Sequence, residues 1–212
     1  MKILNLYAGI GGNRKLWGDE HEVTAVEINP EIAKIYHDFF PGDKVIVTDA
    51  HEYLLQHFKE FDFIWSSPPC PTHSRIRFCM SQVKDTSDIE HYRPPKFPDM
   101  KLYEEIIFLT HFFKGKFVVE NVIGYYEPLI KPKKIGRHYY WANFILNDKK
   151  CKAEKIEKGN VKELSKFSGF NIDKYKNIDK RVVLRNCVNP EVALEIFNFA
   201  FKKPQLTLGE KY

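Results

Sequence analysis

The chain has 212 residues, 43% of them hydrophobic and 15% aromatic, which is enough for one domain with a sizeable core and too apolar for a disordered chain. No apolar stretch reaches the roughly 20 residues that span a bilayer, and the start turns glycine-rich too early for a secretory leader, so a soluble cytoplasmic protein without membrane contact is expected. Basic side chains number 33 against 28 acidic ones, and the resulting net charge of +5 suits an anionic partner without requiring one.

In chain order, residues 3–7 predict a buried strand that ends in the turn "AGIGGN", with a helix following through Leu16 and Trp17. Residues 22–29 form a second strand, and Pro30 opens a helix over 30–40, where a proline in the first turn is well placed. A third strand over 44–50, a helix over 51–58, a fourth strand over 61–67, an amphipathic helix over 102–113 and a fifth strand over 116–122 follow. Beyond residue 147 the periodicity fades until a last helix over 191–201. Strands alternating with helices predict one α/β domain over 1–212, a mostly parallel sheet with helices on both faces. The linker between the fourth strand and its helix is long and punctuated by Pro71, Pro94, Pro95 and Pro98; a loop of that length is more often functional than idle.

Ligands of open parallel sheets sit beyond the carboxyl ends of the strands. Here those ends carry "YAGIGG", "VEIN", "VTDA", "SSPPC" and "VENV". Gly9, Gly11 and Gly12 allow a tight turn and close approach to bare backbone. Glu27, ending the second strand, can accept both hydrogen bonds of a ribose diol, and Asp49, ending the third, can meet an adenine amino group. Together they predict a nucleoside ligand; the spacing is not G-x-G-x-x-G, which disfavours a dinucleotide.

The four cysteines, Cys70, Cys79, Cys151 and Cys187, show no paired framework. Cys70 follows two prolines at a strand end, where the chain surfaces with its backbone fixed, and Arg75, Arg77 or Arg137 could favour the thiolate. A zinc site using Cys70, His73, Cys79 and His91 has no compact ligand spacing, and a zinc deaminase would need a second cysteine at 73. Metal is therefore not expected. Glu120 ends the fifth strand on the same edge and could protonate or hydrogen-bond a substrate ring, while Asn121 holds the turn.

"NLYAGIGG", Glu27, Asp49, "PPC" and "ENV", in that order, resemble the DNA (cytosine-5) methyltransferase family. "GRHYYWANF" (136–144), "KFSGF" (166–170) and "RNCVNPEVALEI" (185–196) match its later segments more loosely, so the resemblance runs from about residue 3 to residue 200. It implies a Rossmann-like S-adenosylmethionine-dependent methyltransferase fold. It implies cofactor contacts from Tyr7, Ala8, Gly9, Ile10, Gly11, Gly12, Glu27, Ile28, Asp49, Ala50 and Pro69, with Asn186 and Val188 beside the methionine part. Catalysis would fall to Cys70, Glu120 and Arg137, and nucleic-acid contacts to Ser74, Arg75, Arg77 and Arg93 on a mobile loop over 71–100. The implied substrate is duplex DNA, or RNA by the same chemistry. The family's large recognition region is reduced here to about 145–180, lysine-rich at its start, so a partner protein or a homodimer could supply specificity. Two other classes stay open: a catalytically silent DNA-binding subunit, which leaves Cys70 and Glu120 without a role, and a nicotinamide-dependent oxidoreductase, which leaves "PPC" and "ENV" unexplained.

Overall fold

Seven strands form one sheet in the computed structural model, which describes residues 1–75, 78, 96–147 and 159–201. The strands are β1 (Lys2–Leu6), β2 (Glu22–Val26), β3 (Lys44–Ile46), β4 (Phe63–Ser66), β5 (Lys116–Val122), β6 (Lys133–Ile135) and β7 (His138–Ala142), in the order β3-β2-β1-β4-β5-β7-β6. The first five run parallel, and β7 is antiparallel to β5 and β6. This is the Rossmann-like methyltransferase fold. Arg77, Arg93, Cys79 and His91 lie outside the described residues, as do residues 148–158 of the lysine-rich stretch.

The core divides by strand parity. Ile3, Phe63, Trp65, Val118 and Tyr140 point to one face, where Val192, Ala193, Ile196 and Phe197 of α6 (Pro190–Phe201) cover them. Trp17 stacks on Phe197 there, with ring centroids 5.1 Å apart. Leu4, Leu6, Ile64, Phe117 and Val119 point to the other face, covered by α2 (Ala50–His57) through Leu54 and by α3 (Lys101–Phe112) through Leu102, Ile106 and Leu109. Buried on both faces, the central strands read as mainly apolar runs, with Asn5 and Thr24 as buried polar exceptions. A third cluster joins Ile10 and Ile35 of α1 (Pro30–Phe39) to Leu164 of α4 (Val161–Ser168) and to Val183 and Leu184 of α5 (Lys180–Arg185).

Three features depart from the sequence expectation. The helix after the glycine turn is one 3-10 turn, Arg14–Leu16, held by the buried pair Arg14–Asp43 at 2.8 Å. The β6–β7 hairpin extends the sheet past the fifth strand. Two short helices, α4 and α5, occupy the stretch where periodicity fades. Among the described residues no helix is long and apolar enough to cross a membrane.

Candidate functional site

Register aligns the strand ends. Leu6 lies beside Val26 and Ser66, Val26 beside Ile46, and Ser66 beside Val119. The residues that follow, Tyr7, Glu27, Val47, Ser67 and Glu120, therefore leave the sheet along one edge. The strand order reverses between β1 and β4, and the crevice at such a point is where open α/β sheets bind ligands. The glycine turn rises from one wall of it and "SSPPC" from the other.

On the first wall, Gly9 has φ +56°, and a Cβ there would meet nothing within 4 Å: the turn faces open space. Gly9 N–H donates to Glu27 Oε2 at 3.0 Å and Asn29 N–H to Oε1 at 2.9 Å, so backbone amides fix the carboxylate and each oxygen keeps a lone pair for a ligand. Ile28, next to it, is 65% exposed, an apolar surface at a polar edge. Asp49 caps α2, accepting from Glu52 N–H at 3.0 Å, and this bond holds its carboxyl below the usual range. Ala8 and Ile10 of the turn, and Ala50 of α2, are buried. Gly12 has no room for a side chain: a Cβ would fall on Cys187 Sγ and within 2.5 Å of Val188 O. The segment carrying Asn186, the C-cap of α5, and Val188 thus packs against the glycine turn.

On the second wall, Pro69 is exposed and Cys70 half-buried. Burial first, and then the Glu120 carboxylate, push the Cys70 thiol above its ordinary value. Of the arginines expected to favour the thiolate, Arg75 donates its Nε–H to Gly124 O at 2.9 Å, and Arg77 lies outside the described residues. Buried Asn121 donates from Nδ2 to Pro68 O at 2.9 Å, tying the end of β5 to the proline pair. Glu120, 7% exposed, stands 3.5 Å from His138 Nε2 across the β5–β7 ladder. Arg137 is exposed beside it, at the tip of the hairpin. Past the thiol, His73 N–H and Ser74 N–H both donate to Cys70 O at 3.0 Å, Ser74 bridges to Gly124, and Phe78 stacks on Tyr125 at 4.3 Å.

Two side chains at this edge were not singled out from the sequence. His138 sits beside Glu120, and its position next to Arg137 was the available signal. Glu105 is fully buried behind the crevice. It falls in helical phase with Leu102, Ile106 and Leu109, an acid on an apolar stripe.

The family model for C-5 cytosine-specific DNA methylases matches residues 1–128. The probable ribosomal RNA small subunit methyltransferase A of Methanosarcina acetivorans is 29% identical over 134 residues, 59% of this chain and 50% of that protein. The tRNA (cytosine(38)-C(5))-methyltransferase of Spodoptera frugiperda is 35% identical over 80 residues, 35% of this chain and 24% of that protein. The chain thus spans about half the length of one relative and about a quarter of the other. The crystal structure of Spodoptera frugiperda DNMT2 is 27% identical, covers 58% of this chain and 36% of its own, and superposes with a TM-score of 0.38; the fold rests on the strand order and not on that overlay.

Proposed function

Because the chain belongs to the C-5 cytosine-specific DNA methylase family, whose cofactor is S-adenosylmethionine, we propose that it methylates carbon 5 of a cytosine in duplex DNA through a covalent bond to Cys70. The observation that carries this reading is the alignment of the glycine turn, the Cys70 segment and Glu120 on the two walls of one crevice.

The edge fits the cofactor. Open space over Gly9, the amide-fixed carboxylate of Glu27, the exposed face of Ile28 and the helix-capping carboxylate of Asp49 suit an adenosine. Tyr7 through Gly12, with Ala50 and Pro69, would line the rest, and Asn186 and Val188 would flank the methionine part. When bound, S-adenosylmethionine supplies an electrophilic methyl group.

The remaining chemistry belongs to the chain. Cytosine is a weak electrophile, so a nucleophile must activate it. Cys70 passes its proton to the neighbouring Glu120 carboxylate, and its sulfur bonds to carbon 6. The electrons of the 5,6 double bond move toward ring nitrogen 3, where the Glu120 carboxyl supplies a proton, leaving carbon 5 electron-rich enough to take the methyl group. A base then removes the carbon 5 proton, the double bond re-forms, the sulfur departs with its electron pair, and nitrogen 3 returns its proton to Glu120. His138 steadies the Glu120 carboxylate from 3.5 Å, and Arg137 would hold the base or a phosphate. A ring stacked in a duplex is out of reach, so the base must be extruded, at about a few kcal/mol. Ser74 and Arg75, with Arg77 and Arg93 beyond the described residues, would contact the phosphates. The short region over 145–180 leaves little surface to read bases, so a partner protein or second copy would sharpen specificity.

The name of the Spodoptera frugiperda relative, a tRNA methyltransferase, supports a second reading in which the same residues act on RNA. Incubation with labelled S-adenosylmethionine and either duplex DNA or a tRNA transcript separates the two. Label is expected in DNA cytosine, and Cys70→Ala abolishes it while cofactor binding survives. Label confined to the tRNA would move the assignment to RNA, and label in neither would end it.

A further inference from the structure

One buried carboxylate takes no part in the chemistry above. Glu105 of α3 is fully shielded from solvent. Its Oε1 accepts the Tyr7 hydroxyl at 2.6 Å and lies 3.1 Å from His51 Nδ1. Its Oε2 accepts the Ser66 hydroxyl at 2.6 Å. Its partners come from three different elements: Tyr7 from the exit of β1, Ser66 from the last position of β4 and His51 from the first turn of α2. On its other side His51 Nε2 stands 3.4 Å from the exposed Glu104.

Burying a carboxylate is a poor route to stability, since well-packed apolar residues usually do as well. What this one gains is position. Tyr7 is the one described non-glycine residue with positive φ, at 54°, a conformation that a bulky side chain keeps only where its surroundings dictate it. The surroundings here are the packing of its ring against the core and its hydroxyl bond to Glu105. Tyr7 begins the glycine turn, and Ser66 begins the "SSPPC" segment that presents the thiol. A single side chain therefore fastens both walls of the crevice from behind.

We propose that Glu105 is a positioning residue of the methyl-transfer site, setting the cofactor turn through Tyr7 and the nucleophile segment through Ser66. The inference rests on the reading of the glycine turn as the S-adenosylmethionine site, and its test separates the two.

The full chain is titrated with S-adenosylhomocysteine by calorimetry, and Cys70 is alkylated with iodoacetamide in the absence of cofactor and followed by mass spectrometry. Tyr7→Phe deletes one hydroxyl and is expected to weaken S-adenosylhomocysteine binding about tenfold, the scale of a hydrogen bond to a charged group, while alkylation stays within about twofold of wild type. Ser66→Ala should show the opposite split, with alkylation altered several-fold and binding within about twofold. Glu105→Gln keeps the shape and should move both. A purely structural role predicts a lower melting temperature in all three with binding and alkylation unchanged, and that result overturns the proposal. Should Glu105→Gln fail to fold, the two single-hydroxyl variants decide it. Wild-type protein that binds no S-adenosylhomocysteine would reject the cofactor reading and take the inference with it. Wild-type binding that Tyr7→Phe leaves untouched rejects the inference alone.

Discussion

A thiol beside a carboxylate keeps its proton until that charge is displaced or neutralised. Cys70 is in this condition: burial and Glu120 both raise it, so the free protein rests as the thiol rather than the reactive thiolate. Glu120→Gln removes the second of these causes. Its thiol should titrate lower, and iodoacetamide should alkylate Cys70 faster than in wild type at the same pH, by roughly threefold or more. An unchanged rate would mean that Glu120 does not act on the sulfur. His51 is raised as well, but there the charged form is the one favoured. The hydrogen bond to Glu105 raises it above the ordinary histidine value of 6.5, with Glu104 adding and burial and Lys101 opposing. A raised cation stabilises the folded state fully below the unfolded value and loses that contribution as pH climbs through the folded one. The stability advantage of wild type over His51→Asn, from urea midpoints, should be largest below pH 6.5 and shrink above it. An advantage constant with pH would show that His51 is not charged in the fold.

At the scale of elements, the glycine turn works by two different vacancies. Gly12 is pressed against the Val188 backbone, so Gly12→Ala should destabilise the protein by about 1–3 kcal/mol through overpacking. Gly9 faces open space, so Gly9→Ala carries only the left-handed backbone cost of about 1–2 kcal/mol, but its methyl group intrudes where the cofactor is proposed to lie. Paired melting and S-adenosylhomocysteine titrations should show the Gly9 variant losing far more affinity than the Gly12 variant does per unit of stability lost. The 3-10 turn that follows is anchored by Arg14, whose Nε–H and Nη2–H donate to Asp43 at 2.8 and 3.0 Å while the Tyr36 hydroxyl donates to the same carboxylate at 2.7 Å. Asp43→Ala strands a buried guanidinium and should lower unfolding free energy by about 3–5 kcal/mol in denaturant titration. The parallel strands and their helices were legible in sequence because the central strands are mainly apolar, despite Asn5 in β1 and Thr24 in β2, and Asn29–Pro30 announces α1. The β6–β7 hairpin was not, because β6 spans only Lys133–Ile135 and its partner, with three consecutive aromatics, shows no period-two alternation. For α4 a signal existed, the capping box of Asn160 with Glu163, hidden in a lysine-rich background.

For the whole molecule, the candidate site was legible because five parallel strands deliver their carboxyl ends to one edge, so motifs far apart in the chain meet there. Helical phase put Glu105, unlike exposed Glu104, on the apolar stripe, but its partners Tyr7, Ser66 and His51 come from three other elements and only tertiary packing brings them to it. Target recognition was the least legible part, because base reading depends on surface shape and not on periodicity. The central claim does not need the target sequence. It can be tested with duplex DNA in which 5-fluorocytosine replaces every cytosine, incubated with the protein and S-adenosylmethionine and resolved on a denaturing gel. Fluorine blocks the final proton removal, so a protein–DNA adduct should persist, map to Cys70 by mass spectrometry and vanish in Cys70→Ala. Methylation of ordinary duplex DNA without any trapped adduct, or an adduct that survives in Cys70→Ala, would contradict the mechanism.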